Sequence, residues 1–169
     1  MWKTINRDFR SFARSNSRFW RIRVIFLSPG LSAVLLFRIQ DYLFKAKMLP
    51  LAYLIHRLNL ILHGIDILPG AKVGSGLRID HPVGIVIGAG SRIGENCIIM
   101  QNVTIGTRHL TAEKYNDEFP EVGHDVTIGA GAVVLGGVKL GSHCKIGANS
   151  VILADVPSGV TVTGIHKNK

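Results

Sequence analysis

Aligned in blocks of six, residues 122–157 read VGHDVT, IGAGAV, VLGGVK, LGSHCK, IGANSV and ILADVP. The first position of every block is a branched aliphatic (Val122, Ile128, Val134, Leu140, Ile146, Ile152), and the fifth is small or medium-sized (Val126, Ala132, Val138, Cys144, Ser150, Val156). The rhythm runs upstream through Ile67, Val73, Ile79 and Ile85, and after a slip of two residues through Ile87, Ile93, Ile99 and Ile105. A period of six is neither the helical period of about 3.6 nor the strand period of about 2. It suits a unit of short strand plus turn, three of which close one triangular coil of a solenoid. Stacked coils pair through parallel ladders about 4.8 Å apart. Each aliphatic in the interior column then contributes roughly 1.5–3 kcal/mol before chain entropy is subtracted. Gly94, Gly106, Gly129, Gly141 and Gly147 each follow such an aliphatic, where a small residue eases the corner.

Three places break the rhythm: Asp80-His81-Pro82, the slip at Ile85-Val86-Ile87, and the polar stretch 107–121. The last adds no core residue at the right spacing and is expected to stand out from residues 65–169 as a loop. Because the repeat accounts for nearly everything else in the region, function is to be sought at these departures.

Residues 1–64 follow another pattern. Apolar runs such as VIFLSPGLSAVLLF and LPLAYLIHRLNLIL are broken by Pro29, Gly30 and Pro50, which predicts two or three helices bounded near those residues. Arg23, Arg38 and Arg57 interrupt the runs before they reach the length of a membrane span. Charge is segregated too: residues 1–65 hold eleven Lys and Arg against Asp8 and Asp41, whereas the rest of the chain balances nine against nine. This basic, apolar segment is expected either to cap the first coil or to cap it and also lie on an anionic inner membrane surface.

Composition narrows the classes. With 169 residues and 47 % hydrophobic content the chain suits one core, and 19 glycines point to tight turns rather than a helical bundle. Cys97 and Cys144 are too few for a disulfide framework and fall at interior positions, against a role as nucleophile. No secretory signal is legible, so a cytoplasmic setting is expected, with peripheral contact at the inner membrane face as the variant. Nucleic acid is not an expected partner. A metal is not expected either, since His81, His109 and His124 lie 28 and 15 residues apart, off the coil repeat of 18.

The segments GIDILPGAKVGSGLRIDHPVGIVIG (64–88), VTIGT (103–107), VTIGAGAVVLGGVKLG (126–141) and CKIGANSVIL (144–153) resemble the hexapeptide-repeat acyltransferases, most closely the serine O-acetyltransferase group. The resemblance implies a mainly β fold, a left-handed parallel β-helix of hexapeptide repeats behind a short N-terminal α-helical segment. It also implies a homotrimer that moves an acetyl group from acetyl-CoA to a hydroxyl. By it, His81 is the general base, Asp66 its orienting partner, and Asp80 holds the acceptor. A neutral imidazole can take the hydroxyl proton, and a carboxylate on its other nitrogen fixes the tautomer. Gly106, Thr107, Ala130 and Lys145 are the positions that match the acetyl-CoA groove between subunits.

Two departures bear on the acceptor. The family's Arg-His-Pro, whose basic pair grips a carboxylate, reads Glu118-Phe119-Pro120, and the second histidine-bearing motif reads Asp66-Ile67-Leu68-Pro69. These favour a sugar hydroxyl, as in exopolysaccharide or capsule O-acetylation, over the amino acid serine. Serine O-acetylation is the alternative, and a non-catalytic β-helix scaffold the alternative from another class.

Overall fold

The computed structural model describes residues 2–12, 28–108 and 118–167. The middle of the expected protruding loop, with His109, lies outside the described residues.

Among the described residues three helices come first: α1 (Trp2–Phe12), α2 (Pro29–Lys45) and α3 (Leu49–His63). α2 and α3 begin at the expected breakers Pro29 and Pro50. Ser28 caps α2 by accepting the Leu31 amide, Pro29 fills its first turn, and Gly64 ends α3 in the left-handed conformation at φ 66.

From Ile65 onward the chain winds as a left-handed parallel β-helix with three faces. The first face stacks β1 (Ile65–Ile67), β4 (Ile85–Ile87), β7 (Thr104–Gly106), β10 (Val133–Leu135), β13 (Val151–Ile152) and β15 (Ile165–His166). The second stacks β2 (Lys72–Val73), β5 (Arg92–Ile93), β8 (Glu121–Val122) and β11 (Lys139–Leu140). The third stacks β3 (Arg78–Ile79), β6 (Ile98–Ile99), β9 (Thr127–Ile128), β12 (Lys145–Ile146) and β14 (Thr161–Val162). Register puts Ile67, Ile87, Ile105, Val134 and Ile152 in one interior column, and Ile79, Ile99, Ile128, Ile146 and Val162 in another. Both sequence columns of the repeat are buried, including Cys97, Cys144 and Ser150, with Val73 half-buried at the capped end.

One residue changes register. Ile85 pairs with Ile65, not with Ile67 as an unbroken period of eighteen requires, so the break in rhythm comes before it. Ile79 pairs with Ile99 and Val86 with Thr104, which leaves residues 80–85 to turn a corner that 100–103 turn in the next coil. The slip and the Asp80-His81-Pro82 departure are thus one feature, a two-residue insertion.

The helices close the open end of the solenoid. Ala33, Val34 and Phe37 of α2 join the solenoid core, and α1 is tied down by a buried pair between Asp8 and Arg38 at 2.8 Å. Helix α3 has the opposite polarity from an ordinary surface helix. Ala52 and Asn59 are buried, while Leu51, Leu54, Leu58, Ile61 and Leu62 face outward. Among the described residues no helix is long and apolar enough to cross a membrane.

Candidate active site

The inserted corner positions the candidate base. His81 has φ 61, in the left-handed region that few non-glycine residues occupy. The other corners of the solenoid in that region carry mainly Asn, Asp or Gly, as at Asn96, Asn102, Asp125 and Asn149. His143 holds the same conformation at φ 62, so what sets His81 apart is the inserted corner that carries it. Two extra residues push the corner out from the coil, so its side chains need not pack in the core.

The corner forms one wall of a cleft of about 730 Å³. Arg78, Asp80, His81, Pro82 and Val83 line that wall; Ser28, Pro29 and Gly30 at the start of α2 and Leu62, His63 and Gly64 at the end of α3 line the other. Close approach of the walls requires Gly30, because a Cβ there would overlap the carbonyl oxygen of Ile79. Arg78 grips Asp80 from two sides, Nε donating to Oδ1 and Nη2 reaching Oδ2, each at 3.0 Å. Among the described residues the His81 side chain makes no hydrogen bond, which leaves its nitrogens open to a substrate.

The cleft also holds a second imidazole. His63 Nδ1 lies 2.9 Å from Asn59 Oδ1, and its Nε2 lies 2.7 Å from Ser32 Oγ. Asn59 Nδ2 donates to the Ala33 carbonyl at 2.9 Å, so the amide presents its oxygen to His63. The proton of a neutral His63 then sits on Nδ1, and Nε2 accepts from the Ser32 hydroxyl. Burial lowers the pKa of His63 and favours that neutral form.

Asp66 has a further imidazole, that of His56, as a partner. It projects outward from β1, one third exposed, and its Oδ1 is paired at 2.8 Å with Nε2 of His56 on α3. Among the described residues no hydrogen bond joins Asp66 to His81. The donor-side candidates are spread around the prism. Gly106 and Thr107 follow one another at the end of β7, where a Cβ on Gly106 would meet nothing within 4 Å. Ala130 is at the corner before β10, and Lys145 is on the third face. A single protomer does not gather them into one groove.

Phe119 is buried over the first-face corner, where its ring occupies the space a side chain at Gly88 or Gly90 would fill. Arg108 donates to the carbonyls of Leu135 and Leu153. Cys97 and Cys144 are both buried. Desolvation pushes the Cys97 thiol up to about 11 and raises that of Cys144, against an acetyl-cysteine. Among the described residues no group of His, Cys, Asp and Glu could hold a metal ion.

Residues 119–154 match the bacterial transferase hexapeptide model of six repeats. Over 166 residues, 98 % of its length, the chain is 38 % identical to the serine acetyltransferase of Synechococcus elongatus, of which it spans 67 %. The chain belongs to the serine acetyltransferase family. Solved members of that family share its fold. Soybean serine acetyltransferase complexed with serine superposes with a TM-score of 0.86 at 33 % identity over 96 % of this chain and 66 % of its own. The Brucella abortus serine acetyltransferase in complex with coenzyme A gives 0.86 at 31 % identity over 96 % of this chain and 65 % of its own. The chain thus spans about two thirds of the length of these serine acetyltransferases.

Reading the sequence alone passes over His56, Asn59, His63 and Ser32. The signal was there: Ala52, His56, Asn59 and His63 follow at intervals of four, three and four, which is one face of a helix. The leucines around them dominate the pattern, and which face of α3 points inward is settled only by packing.

Proposed function

We propose that this protein transfers the acetyl group of acetyl-CoA to the side-chain hydroxyl of L-serine, with His81 as general base. The observation that carries this reading is His81 itself, set on an inserted corner beside Asp80 in a cleft, without a hydrogen-bond partner among the described residues. The likeness to serine acetyltransferases, one of them solved with serine, supports the acceptor. One with coenzyme A supports the donor.

The chemistry follows from the groups present. A neutral imidazole on His81 accepts the proton of the acceptor hydroxyl as its oxygen attacks the thioester carbonyl. The tetrahedral intermediate collapses, the carbon–sulfur bond breaks, and the imidazolium returns the proton to the leaving thiolate. Asp80, held by Arg78, faces the acceptor and suits its ammonium group. Asp66 orients His81. Gly106 and Thr107, with Ala130 and Lys145 of the solenoid, contribute the acetyl-CoA groove; small residues allow close approach and the lysine meets phosphate.

A homotrimer fits this reading, because the donor candidates sit on different faces and two protomers together can bring them to one cleft. The outward ladder of the first face, Val86, Thr104, Val133, Val151 and Ile165, is largely apolar. That of the second, Lys72, Arg92, Glu121 and Lys139, is charged. The first face is therefore the one suited to contact between protomers. The outward leucines of α3 with the basic front segment support contact with an anionic membrane surface, tested by co-sedimentation with anionic vesicles at low and high salt.

A sugar hydroxyl is the second reading. It is favoured by Glu118 and Phe119, since a carboxylate and a ring buried over glycines give no grip on the carboxylate of serine. Thiol release from acetyl-CoA, measured against L-serine and a panel of oligosaccharides, separates the two. Turnover with L-serine, lowered by about 10²–10⁴ in His81→Ala with the oligomer intact, is the expected result. Turnover with saccharides alone moves the assignment to the second reading. Unchanged turnover in His81→Ala removes His81 as base, and no turnover on any acceptor leaves a scaffold.

A further inference from the structure

Helix α3 turns its polar stripe inward, and each member of the stripe has a distinct partner. Asn59 and His63 spend their polar atoms on Ala33 and Ser32 of α2, so they tie one helix to the next. His56 instead reaches the first strand of the solenoid, where its Nε2 meets Oδ1 of Asp66 at 2.8 Å. The side chain of His56 is only 14 % exposed, and the ring of Tyr53 meets it edge-on at 6.5 Å between centroids. An apolar residue would fill that inner position of the helix without a polar atom to satisfy. The imidazole serves Asp66.

Asp66 needs such a partner. It begins the outward ladder of the first face, whose other members are Val86, Thr104, Val133, Val151 and Ile165. The apolar neighbours give it no hydrogen bond, and a carboxylate one third exposed has free rotamers unless something holds it. His56 supplies one charge-assisted bond to Oδ1. Among the described residues Oδ2 makes none.

We propose that His56 is a positioning residue for acetyl transfer, fixing Asp66 through Oδ1 so that Oδ2 is left to orient the imidazole of His81. This rests on the assignment of Asp66 and His81 made under the proposed function. His56 does not touch the reacting atoms; it acts through Asp66. The consequence is a three-membered line in which a helix of the front segment sets the carboxylate of the solenoid's first coil.

The test is steady-state kinetics with acetyl-CoA and L-serine on wild type, His56→Ala, His56→Gln, Asp66→Asn, His56→Ala with Asp66→Asn, and His81→Ala. His56→Ala is expected to lower kcat by about 10- to 100-fold, the equivalent of one hydrogen bond to a charged group, with KM for both substrates little changed. Gln places an amide N–H near the position of Nε2 and is expected to restore most of the rate. In the Asp66→Asn background the loss of His56 is expected to cost nothing more, as the two lie on one path. Asn at position 56 keeps the polarity but falls short of Asp66, so it replaces Ala if that variant does not fold. The proposal is overturned if kcat of His56→Ala, or of His56→Asn in its place, stays within about twofold of wild type, or if its loss is as large in Asp66→Asn as in wild type. Wild-type rates in His81→Ala would instead remove the assignment on which the proposal rests. Loss in His81→Ala with silence at His56 removes only the role of His56.

Discussion

Replacing Asp8 by Ala tests how the front segment is fastened to the solenoid. The Asp8 carboxylate is fully buried and receives four hydrogen bonds. Arg38 Nε donates to Oδ2 at 2.8 Å and Arg38 Nη2 to Oδ1 at 3.1 Å, while the amides of Gly76 and Leu77 donate to Oδ1 at 2.8 and 3.1 Å. Removing it leaves the Arg38 guanidinium buried with the carbonyls of Val73 and Gly74 and no counter-charge. It also orphans two amides. Breaking a buried pair from one side costs about 3–5 kcal/mol. At roughly 2–4 °C per kcal/mol for a chain of this size, the melting temperature falls by about 10 °C. Urea unfolding followed by circular dichroism, at one fixed protein concentration, measures the loss. Asp8→Leu combined with Arg38→Met is expected to recover a good part of it, because no buried charge remains. The corner at Gly76 and Leu77 leads directly into Arg78, Asp80 and His81, so acetyl transfer falls along with stability. A cost below about 1 kcal/mol for Asp8→Ala, the size of an exposed pair, would refute the reasoning.

Three further outcomes follow from burial and close approach. Neither Cys97 nor Cys144 reacts with iodoacetamide at about pH 8 in the folded protein and both react in urea, because burial raises both thiols and only the thiolate attacks; rapid labelling of the folded protein contradicts this. For His63, whose folded pKa is depressed, the unfolded chain takes up a proton that the folded chain refuses as pH falls through about 6.5. Its contribution to stability is therefore lost on acidification and levels off below the folded pKa. The urea midpoint of His63→Gln should fall less than that of wild type between about pH 7 and pH 5, and parallel falls would count against it. Gly30→Ala should cost about 1–3 kcal/mol and reduce acetyl transfer, since its Cβ overlaps the Ile79 carbonyl and the start of α2 must back away from the cleft; unchanged melting and turnover would show that the walls are not in contact.

Much of the solenoid was legible because its repeat is a direct image of packing. Each first-position aliphatic, from Ile67 to Ile152, meets the same residue type one coil above and below. The spacing alone therefore located the columns and marked Asp80-His81-Pro82 as a departure from them, while the role given to His81 came from the family resemblance. Ile85 was misplaced by the period, since a two-residue insertion looks the same in sequence wherever it falls between Ile79 and Val86. Pairing with Ile65 settles that it falls before Ile85. The acceptor preference drawn from Glu118 and Phe119 was weaker ground. The relatives favour serine, and the structure gives Phe119 a packing role over Gly88 and Gly90 that explains the ring whatever the acceptor.

The sequence by itself determined the three-sided coil, its interior and the helical front, because all of these are set by contacts whose separation along the chain is constant. Only the tertiary structure decided that α3 faces inward with His56, Asn59 and His63, that Asp66 is paired with His56, and that Asp8 and Arg38 clamp α1 to the first coil. Those contacts join segments without a common period. Their partners are chosen by which helix face the apolar core leaves for polar groups, and no spacing within the chain records that choice.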